Sequence, residues 1–533
     1  MRQHALDVGS LWDTEAIPGR LGSMPHQTQQ PRKPSMGDAL IPVGFLVLAL
    51  AVSVYLYGGD SIGGPVQFAM FLAMIVAALV GLKNGHTFAG MSKAGIDSVA
   101  SAMGAIFILL SVGALIGAWN MSGTIATMTD WGLQILSPTF FYLTTAIICA
   151  LVALGIGSSW TVMGTIGVAL VAISEGLGVS MAMTAGAVIS GAYFGDKMSP
   201  LSETTNLAPA VAGTDIYTHI RAMMSTTIPS FIIALGLYTF LGFQVNPEGA
   251  LQVDAAQVFI EGAFFTGIIP MIPLVIVIVM AVRKIPPTLA IISGALSAAL
   301  IAMIWQQEQI LAFVGDTDLS RPWALLKGAW SAMANGFIAD TGSERLDELL
   351  SGGGMESMLT TVWLIMVALA FGGVMNHCGF LARLIEPLRR RARSDRGIVT
   401  ATGTTAIGIN LIAADQYLAI VLTGNVYKEE YAAKGIAPQT LSREIEDTAT
   451  VTSPLIPWNS CGAYAAGVLG VETVAYFPFA FFNLINPVLS FIYALLGMQI
   501  KHVQPESGVS PSPHEADFYG VSGRRADEVP LED

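Results

Sequence analysis

Long apolar runs of roughly 20 residues recur along this sequence and limit what the chain can fold into. A run of about 20 apolar residues is long enough to cross the ~30 Å hydrocarbon core of a bilayer as one helix. The whole chain is 53% apolar and only 12% charged, which is too apolar for a soluble globular protein. We therefore predict an all-α polytopic membrane protein. Its clearest spans are 39–57, 66–82, 102–119, 140–157, 226–243, 262–282, 286–304, 358–375 and 474–498.

Four further apolar pieces are shorter and contain several glycines, at 161–178, 181–195, 397–413 and 448–470. Interrupted backbone at membrane depth is tolerated where it is buried in protein or lines a water-filled cavity. We therefore expect these pieces to form broken or re-entrant helices rather than full spans.

The basic residues of the short loops indicate how the chain crosses the membrane, because cytoplasmic loops carry an excess of Lys and Arg. Arg32 and Lys33 precede the first run and Lys83 follows the second, whereas the loop between these runs (58–65) contains neither residue type. We predict a multi-pass protein of the bacterial cytoplasmic (inner) membrane with a cytoplasmic N-terminus.

Two pairs of similar segments indicate an internal duplication. The segment ILLSVGALIGAWNMSGTIATM resembles LIMVALAFGGVMNHCGFLARL at a separation of 256 positions (376 − 120). A second match follows in the same order at a separation of 254 positions (453 − 199). The first match aligns Gly117 with Gly373, Asn120 with Asn376 and Gly123 with Gly379; the second aligns Ser199, Pro200 and Leu201 with Ser453, Pro454 and Leu455, and Ala212 and Gly213 with Ala466 and Gly467.

The two copies carry opposite charge patterns, which predicts opposite orientations in the membrane. The segment 120–139 has no Lys or Arg, whereas the matching segment of the second copy begins an arginine cluster that runs from Arg383 to Arg396. Inverted-topology repeats of this kind recur in secondary transporters, whose binding sites lie where broken helices meet. We predict repeat 1 at 39–243, an external loop at 244–263 and repeat 2 at 264–500. Disordered tails are predicted at 1–38, on the cytoplasmic side, and at 501–533, which is acidic.

The most polar interruption of the apolar sequence occupies 195–210 and reads GDKMSPLSETTNLAPA. Ionisable groups at membrane depth are functional candidates by default, because their burial is expensive. Proline and glycine interrupt a helix, so freed carbonyl oxygens and polar side chains can replace the water around a small cation. A carboxylate in such a break would let a proton and a sodium ion compete for one site. Similar breaks surround Ser158 in the first half and Asn410 and Ser453 in the second.

Three carboxylates in these breaks are the strongest candidates for binding the cation or proton: Asp196, Glu203 and Asp415. A solvated loop end is the alternative for the first two, and a structural hydrogen bond is the alternative for Asp415. Lys197 is predicted to neutralise Asp196, its neighbour in sequence. Asp447 fits either a site or the end of a cytoplasmic helix. Further candidates, from the same polar stretch or its partner in the repeat, are Ser199, Ser453 and Asn459.

An intramembrane aspartyl protease is a distant alternative, because Asp196 and Asp415 could supply the two aspartates that it needs. The GxGD motif of such a protease is not present, since Tyr193 stands where its first glycine belongs. The sequence also contains no HExxH motif and no P-loop for ATP-driven pumping. We therefore predict a transporter and not an enzyme.

The run GDKMSPLSETTNLAP closely resembles the most distinctive motif of the NhaC family of bacterial sodium/proton antiporters, part of the larger ion transporter superfamily. The resemblance covers 39–498 and implies exchange of sodium ions for protons, which we expect to occur by alternating access. The family also includes exchangers of small organic acids such as malate and lactate. A sodium- or proton-coupled organic-acid exchanger is therefore the alternative.

The resemblance also implies ligands and partners. By the resemblance, sodium would bind hydroxyl and amide side chains of both halves. The carboxylates are assigned to the same site from the local chemistry described above. We expect sodium, protons and membrane lipid as partners, no nucleic acid and no cofactor, and we leave a homodimer open. The side chains to which the resemblance assigns ion binding are Ser158, Ser159, Thr204, Thr205, Asn206, Asn410, Thr452 and Ser453.

Overall fold

The computed structural model describes residues 31–57, 61, 63–135, 137–245, 260, 262–283, 285–315, 318–340, 347 and 350–503. Most of the two predicted tails and of the predicted loop at 244–263 therefore lies outside the described residues. The domain boundaries that fall there remain predictions.

The first half of the chain is built from helices joined by short connections. A π-helical segment, Met163–Gly167, joins α7 (Ser159–Val162) to α8 (Val168–Gly176). The helices are α1 (Met36–Tyr57), α2 (Pro65–Lys83), α3 (Phe88–Ser101), α4 (Met103–Met121), α5 (Thr124–Ile135), α6 (Phe141–Ile156), α7 (Ser159–Val162), α8 (Val168–Gly176), α9 (Met181–Met198), α10 (Glu203–Ala212) and α11 (Ile216–Gly242).

The second half repeats this arrangement with two extra features. Two helices, α14 (Gln307–Val314) and α15 (Arg321–Asn335), follow the long helix Pro287–Trp305. A π-helical segment, Glu446–Thr450, extends α20 (Pro438–Ile445). The helices are α12 (Ile272–Val282), α13 (Pro287–Trp305), α14 (Gln307–Val314), α15 (Arg321–Asn335), α16 (Leu359–His377), α17 (Phe380–Arg391), α18 (Asp395–Ala413), α19 (Gln416–Ala433), α20 (Pro438–Ile445), α21 (Ser460–Leu469), α22 (Thr473–Tyr476) and α23 (Phe481–Leu496).

Seven helical spans in the described part of the chain are long and apolar enough to cross a membrane, and they coincide with predicted spans. They contain α1, α2, α4, α6, α11, α13 and α16. The predicted span 474–498 is instead a bent pair, with an angle of 61° between Thr473–Phe479 and Phe481–Leu496. The bend follows Pro478, which lacks an N–H donor, and Ala480, whose dihedral angles (φ −78°, ψ 64°) are not helical.

The predicted span 262–282 is too long, because its α-helix begins only at Ile272. The side chain of Gln306 accepts a hydrogen bond from Phe265 N (3.2 Å) and donates one to Phe265 O (2.9 Å). This contact satisfies the backbone of Phe265 outside a helix. The apolar composition of the segment does not reveal it.

Two pieces that we predicted to be broken, 181–195 and 397–413, lie in continuous helices, α9 and α18. Glycines of α9 serve close packing and do not interrupt the helix. A Cβ atom at Gly191 would lie 2.2 Å from Ala146 O, and one at Gly195 would lie 2.2 Å from Ala150 O. These glycines therefore let α9 lie directly against α6, as small residues do at helix interfaces in membranes.

The duplication is visible in the backbone, where left-handed residues and helix N-caps recur at a nearly constant separation. The separation is 256 positions for Gly123 and Gly379 (379 − 123) and 257 positions for the four other matched pairs (414 − 157, for example). The pairs are Gly123 and Gly379, Gly157 and Ala414, Gly178 and Gly435, Gly213 and Gly470, and the N-caps Ser202 and Asn459.

This register corrects the second sequence match by three residues. Ser199 corresponds to Ile456 (456 − 199 gives 257) and not to Ser453, and both have extended dihedral angles at the end of a helical segment. By the same register Gly213 corresponds to Gly470. The break of the second half contains two prolines, Pro454 and Pro457. The short SPL match pairs Pro200 with Pro454, whereas the backbone register pairs Pro200 with Pro457.

Matched helices of the two copies run in opposite directions. A Cβ atom at Gly117, near the end of α4, would lie 3.1 Å from Gly354 N, shortly before α16 begins. A Cβ atom at Gly373, near the end of α16, would lie 2.4 Å from Ser98 Oγ, shortly before α4 begins. Each of these matched helices ends where the other begins, so the repeats are inverted, as predicted.

Candidate cation-binding site

Four helices begin at the polar breaks, and each is capped by an oxygen of its own N-cap side chain. Ser158 accepts a hydrogen bond from Thr161 N, and Ser202 accepts one from Thr205 N. In the second half, Asp415 accepts one from Leu418 N (2.7 Å) and Asn459 accepts one from Cys461 N (3.0 Å). A helix N-terminus attracts anions through its free N–H groups and its dipole. Protein oxygens already occupy one N–H group at each of these ends.

The first three of these helix ends, together with Ser460 beside the fourth, line one cavity of about 770 Å³. Residues of both halves line this cavity, including carboxylates from each. None of the described residues that line it is basic. It is lined by six of the predicted site residues: Ser158, Ser159, Asp196, Glu203, Thr204 and Asp415.

Asp196 is the most buried of the three cavity carboxylates, with 8% of its surface exposed. Its Oδ2 atom accepts hydrogen bonds from Ser159 N (3.1 Å) and Ser159 Oγ (2.7 Å). Its Oδ1 atom has no hydrogen-bond partner within 3.5 Å among the described residues. One oxygen is thus held in place by α7, and the other has coordination capacity left for a cation.

Glu203 and Asp415 occupy more open positions. Glu203 is exposed, and its Oε2 atom accepts a hydrogen bond from Tyr417 Oη at 2.7 Å. Asp415 is half-buried and caps α19. Among the described residues, no group of three or more His, Cys, Asp or Glu side chains is arranged to hold a resident metal ion. The three cavity carboxylates therefore do not form one compact ligand cluster.

The other predicted residues do not line this cavity. Most of them hold the broken helix ends together: Thr205 Oγ1 donates to Lys197 O (3.1 Å), Asn206 Nδ2 to Ser202 O (2.6 Å) and Asn459 Nδ2 to Asn410 O (3.3 Å). Ser453 Oγ lies 3.2 Å from Oε1 of the cavity residue Gln416. The residues outside the cavity lining are Ser199, Thr205, Asn206, Asn410, Thr452, Ser453 and Asn459.

Contrary to the prediction from the sequence, Lys197 does not neutralise Asp196. Its Nζ atom forms an ion pair with Asp447 Oδ1 at 2.6 Å, and neither side chain is exposed. Thr226 and Ser490 donate further hydrogen bonds to the Asp447 carboxylate (3.0 and 2.9 Å). Adjacent residues on a helix point in different directions, so Lys197 reaches the other half of the protein.

The buried charges around Asp447 escaped the sequence analysis. The run SREIED reads as the charged end of a surface helix, yet Arg443, Glu444 and Glu446 are all at most 1% exposed. The TATVTSP sequence that follows directly, with its hydroxyl residues and proline, was the available signal that this helix enters the protein interior.

Comparison with known proteins places the chain in a family. The model of the Na+/H+ antiporter family matches residues 191–498, which include the C-terminal part of α9, the following break and the second half. Over 473 residues, the chain is 34% identical to the Na(+)/H(+) antiporter NhaC of Alkalihalophilus pseudofirmus, covering 89% of this chain and 98% of that protein. The chain belongs to the NhaC family of Na+/H+ antiporters.

Other relatives of this NhaC family member are named for different cargoes. It is 33% identical to the malate-2H(+)/Na(+)-lactate antiporter of Bacillus subtilis, covering 89% of this chain and 97% of that protein. It is also 33% identical to the arginine/ornithine antiporter ArcD of Halobacterium salinarum, covering 91% of this chain and 96% of that protein. Family membership thus identifies a membrane antiporter but does not distinguish among these cargoes.

Proposed function

We propose that this protein exchanges sodium ions for protons across the bacterial cytoplasmic membrane by alternating access, with its N-terminus in the cytoplasm. The observation that carries this proposal is the charge of the cavity, whose described lining contains three carboxylates and no basic side chain. Cations are attracted to such a lining, and a small anion meets repulsion.

The capped helix ends support the same cargo. A transported carboxylate could bind at free helix N-termini, as anions commonly do. Here Ser158, Ser202, Asp415 and Asn459 each present a side-chain oxygen to a backbone N–H group of their helix. The breaks therefore offer oxygen ligands more readily than N–H donors.

Within the cavity, we propose Asp196 and Asp415 as the main cation- and proton-binding groups, assisted by oxygens of Ser158 and Ser159. Asp196 comes from the first repeat and Asp415 from the second, so relative movement of the repeats would change access to both. The driving force is modest: one pH unit supplies about 1.4 kcal/mol per proton. A membrane potential of 100 mV supplies about 2.3 kcal/mol per net charge moved.

A small organic acid coupled to sodium or protons is the second candidate. Its support is the cavity volume of about 770 Å³, which exceeds what one dehydrated ion needs, and the family relative named for malate and lactate. A cargo of this kind would have to enter together with enough cations to offset the negative lining.

Transport by the purified protein in liposomes that contain a pH-sensitive dye separates these candidates. We expect a proton flux when sodium alone is added outside. A flux that requires malate or lactate would overturn the simple sodium/proton exchange. Addition of lithium and potassium in parallel measures the ion preference.

The cavity carboxylates are tested in the same assay. We expect Asp196→Asn and Asp415→Asn each to abolish sodium/proton exchange, because the amide no longer binds a proton or attracts a cation. The matched control is Asp97→Asn, at an exposed position on α3. Exchange at the wild-type rate by either cavity variant would remove that residue from the proposed site.

A further inference from the structure

Glu446 is a buried carboxylate that does not line the cavity and has no role in the proposed site. It lies on the π-helical segment that follows α20, and its surface is 0% exposed. Neither of its carboxylate oxygens has a hydrogen-bond partner within 3.5 Å among the described residues, and the same is true of Thr450 Oγ1 one helical turn later. Buried polar groups are nearly always hydrogen-bonded, so three oxygens without a close partner in one place mark a candidate binding position. π-Helical turns are also frequent at functional sites.

No ion pair compensates the charge of Glu446 among the described residues, because the nearby basic side chains lie closer to other carboxylates. Lys197 pairs with Asp447 at 2.6 Å, and Arg443 Nη2 lies 3.9 Å from Glu444 Oε2 and Arg443 Nε 3.8 Å from Asp447 Oδ2. Among the residues that the structure describes, no basic side chain forms an ion pair with Glu446. An ionised carboxylate buried without a partner is strongly unfavourable.

A route connects Glu446 to the cavity. The π-helical segment that carries Glu446 packs against α10, and the hydroxyl groups of Thr204 on α10 and of Thr450 lie near the Glu446 carboxyl group. The charge of Lys197 attracts this carboxyl group, and the charge of Asp196 repels it. Thr204 and Asp196 both line the cavity. Glu446 therefore lies directly behind the cavity wall, on the side of Asp196.

We propose that Glu446 forms a second binding position for a small monovalent cation, Na+ or H+, behind the cavity. The inference rests on the proposed cation exchange and deepens it by adding a ligand from the second repeat. The negative charges of Asp196 and Glu446 repel each other. A cation bound at one carboxylate relieves this repulsion and so weakens the attraction of the other carboxylate for a second cation. Competition of this kind couples the two ions of an antiporter.

Two fluxes through liposomes separate the two cations. Exchange of labelled sodium for unlabelled sodium needs the sodium ligands only, whereas exchange of sodium for protons needs both. If Glu446 binds the proton, Glu446→Gln keeps sodium/sodium exchange and loses sodium/proton exchange by at least about tenfold. If it binds sodium, both fluxes fall by this factor. Wild-type rates of both fluxes would overturn the proposal.

The control for this substitution is Glu472→Gln, an exposed glutamate that caps α22 without a side-chain hydrogen bond. We expect both fluxes to stay at the wild-type level in this variant. A variant that keeps the acid, Glu446→Asp, guards against misfolding of Glu446→Gln. It should transport with an altered apparent sodium affinity, and an unaltered affinity would speak against a ligand role.

A binding measurement keeps the proposal testable if the proposed function itself fails. Sodium that binds only the folded protein raises its melting temperature. We measure the melting temperature in detergent against sodium concentration and pH for wild-type protein and Glu446→Gln. A smaller sodium- or pH-dependent shift in the variant supports the position at Glu446, even if liposomes show no exchange. Identical shifts in both proteins overturn it.

Discussion

At the scale of single residues, the buried carboxylates of this protein differ in how many of their oxygens are hydrogen-bonded or ion-paired. Asp196 has one oxygen held by Ser159 and one oxygen without a hydrogen bond. Asp447 is saturated, because an ammonium group and two hydroxyl groups contact its carboxylate. A saturated carboxylate stabilises the fold, whereas a carboxylate with unused coordination capacity can accept cargo. The contacts therefore assign Asp447 to structure and Asp196 to the candidate site.

The hydrogen bond from Ser159 to Asp196 gives a prediction for affinity. Ser159→Ala removes the hydroxyl donor at 2.7 Å and keeps the backbone N–H donor at 3.1 Å. Hydrogen bonds to charged groups contribute about 1.5–3 kcal/mol, so the KM for sodium should rise roughly tenfold or more. The measurement is sodium-dependent exchange in liposomes. Ser297→Ala, which removes a hydroxyl bonded within α13, should leave the KM unchanged. An unchanged KM in Ser159→Ala would mean that the orientation of Asp196 does not limit binding.

The buried ion pair gives a prediction for stability. Asp447→Asn leaves the buried Lys197 ammonium group without its ion-pair partner, which costs about 3–5 kcal/mol. The melting temperature of the protein in detergent should fall markedly. The double variant Lys197→Met/Asp447→Leu should recover much of the loss, because it removes both charges together.

An exposed ion pair is the matched comparison for the buried one. Asp395 lies 3.5 Å from Lys434 on the surface, where such pairs contribute about 0–1 kcal/mol. Asp395→Asn should therefore barely change the melting temperature. Equal losses in Asp395→Asn and Asp447→Asn would show that burial does not set the energy of these pairs.

At the scale of helices, α4 packs closely against α15 and α16 packs closely against α3, in each case at a glycine that leaves room for backbone. A Cβ atom at Gly117 would lie 2.0 Å from Ala332 O of α15, and one at Gly373 would lie 2.6 Å from Ala94 O of α3. Neither distance can be relieved by moving a flexible side chain. The contact between each helix and the other repeat therefore depends on a glycine at this matched position.

Substitution of these glycines should disrupt the contact between the repeats. We expect Gly117→Ala and Gly373→Ala each to reduce the yield of folded, monodisperse protein and its melting temperature. Gly236→Ala in α11 is the control, since no atom lies within 4 Å of a Cβ atom there. It should be neutral or stabilising by up to about 1 kcal/mol, because alanine is the better helix former. Normal yield of Gly117→Ala would contradict the close approach of α4 and α15.

At the scale of the whole molecule, the inverted repeat places the matched helix ends on opposite faces. The end of α13 lies beside the loop after α4, where Gln306 Nε2 donates to Ser122 O. The end of α2 lies beside the end of α16, where the rings of His86 and His377 are 5.3 Å apart. The helix α17, which carries three arginines in its last turn, follows the end of α16. We therefore predict that the face with the ends of α2 and α16 is cytoplasmic.

Labelling of single cysteines tests this orientation. The described cysteines, Cys149, Cys378 and Cys461, are all buried and are replaced first in a background that must still transport. A membrane-impermeant thiol reagent added to intact cells should label Glu308→Cys, just after α13. It should label Arg391→Cys, at the end of α17, only after the membrane is permeabilised. Labelling of both positions from the same side would contradict the inverted arrangement.

The sequence by itself determined that this is an all-α membrane protein, where most spans lie, and that two inverted halves carry polar breaks. These features follow from local rules, because a span must satisfy its backbone hydrogen bonds within its own segment in lipid. Basic residues set orientation loop by loop, so the inversion could also be predicted. The candidates Asp196 and Asp415 come from the same local argument, since each interrupts an apolar stretch.

Only the tertiary structure decided which polar residues share a cavity and which hold helix ends together. Lys197 and Asp447 are 250 positions apart, and the sequence around Lys197 suggested Asp196 as its partner. The sequence around Glu446 predicts a surface helix, yet Glu446 is buried. The glycines of α9 predict a broken helix, yet they allow close packing of α9 against α6. The physical reason is common to all three. The direction of a side chain and the distance to a packed neighbour depend on contacts between distant segments, which the local pattern of apolar and polar residues does not encode.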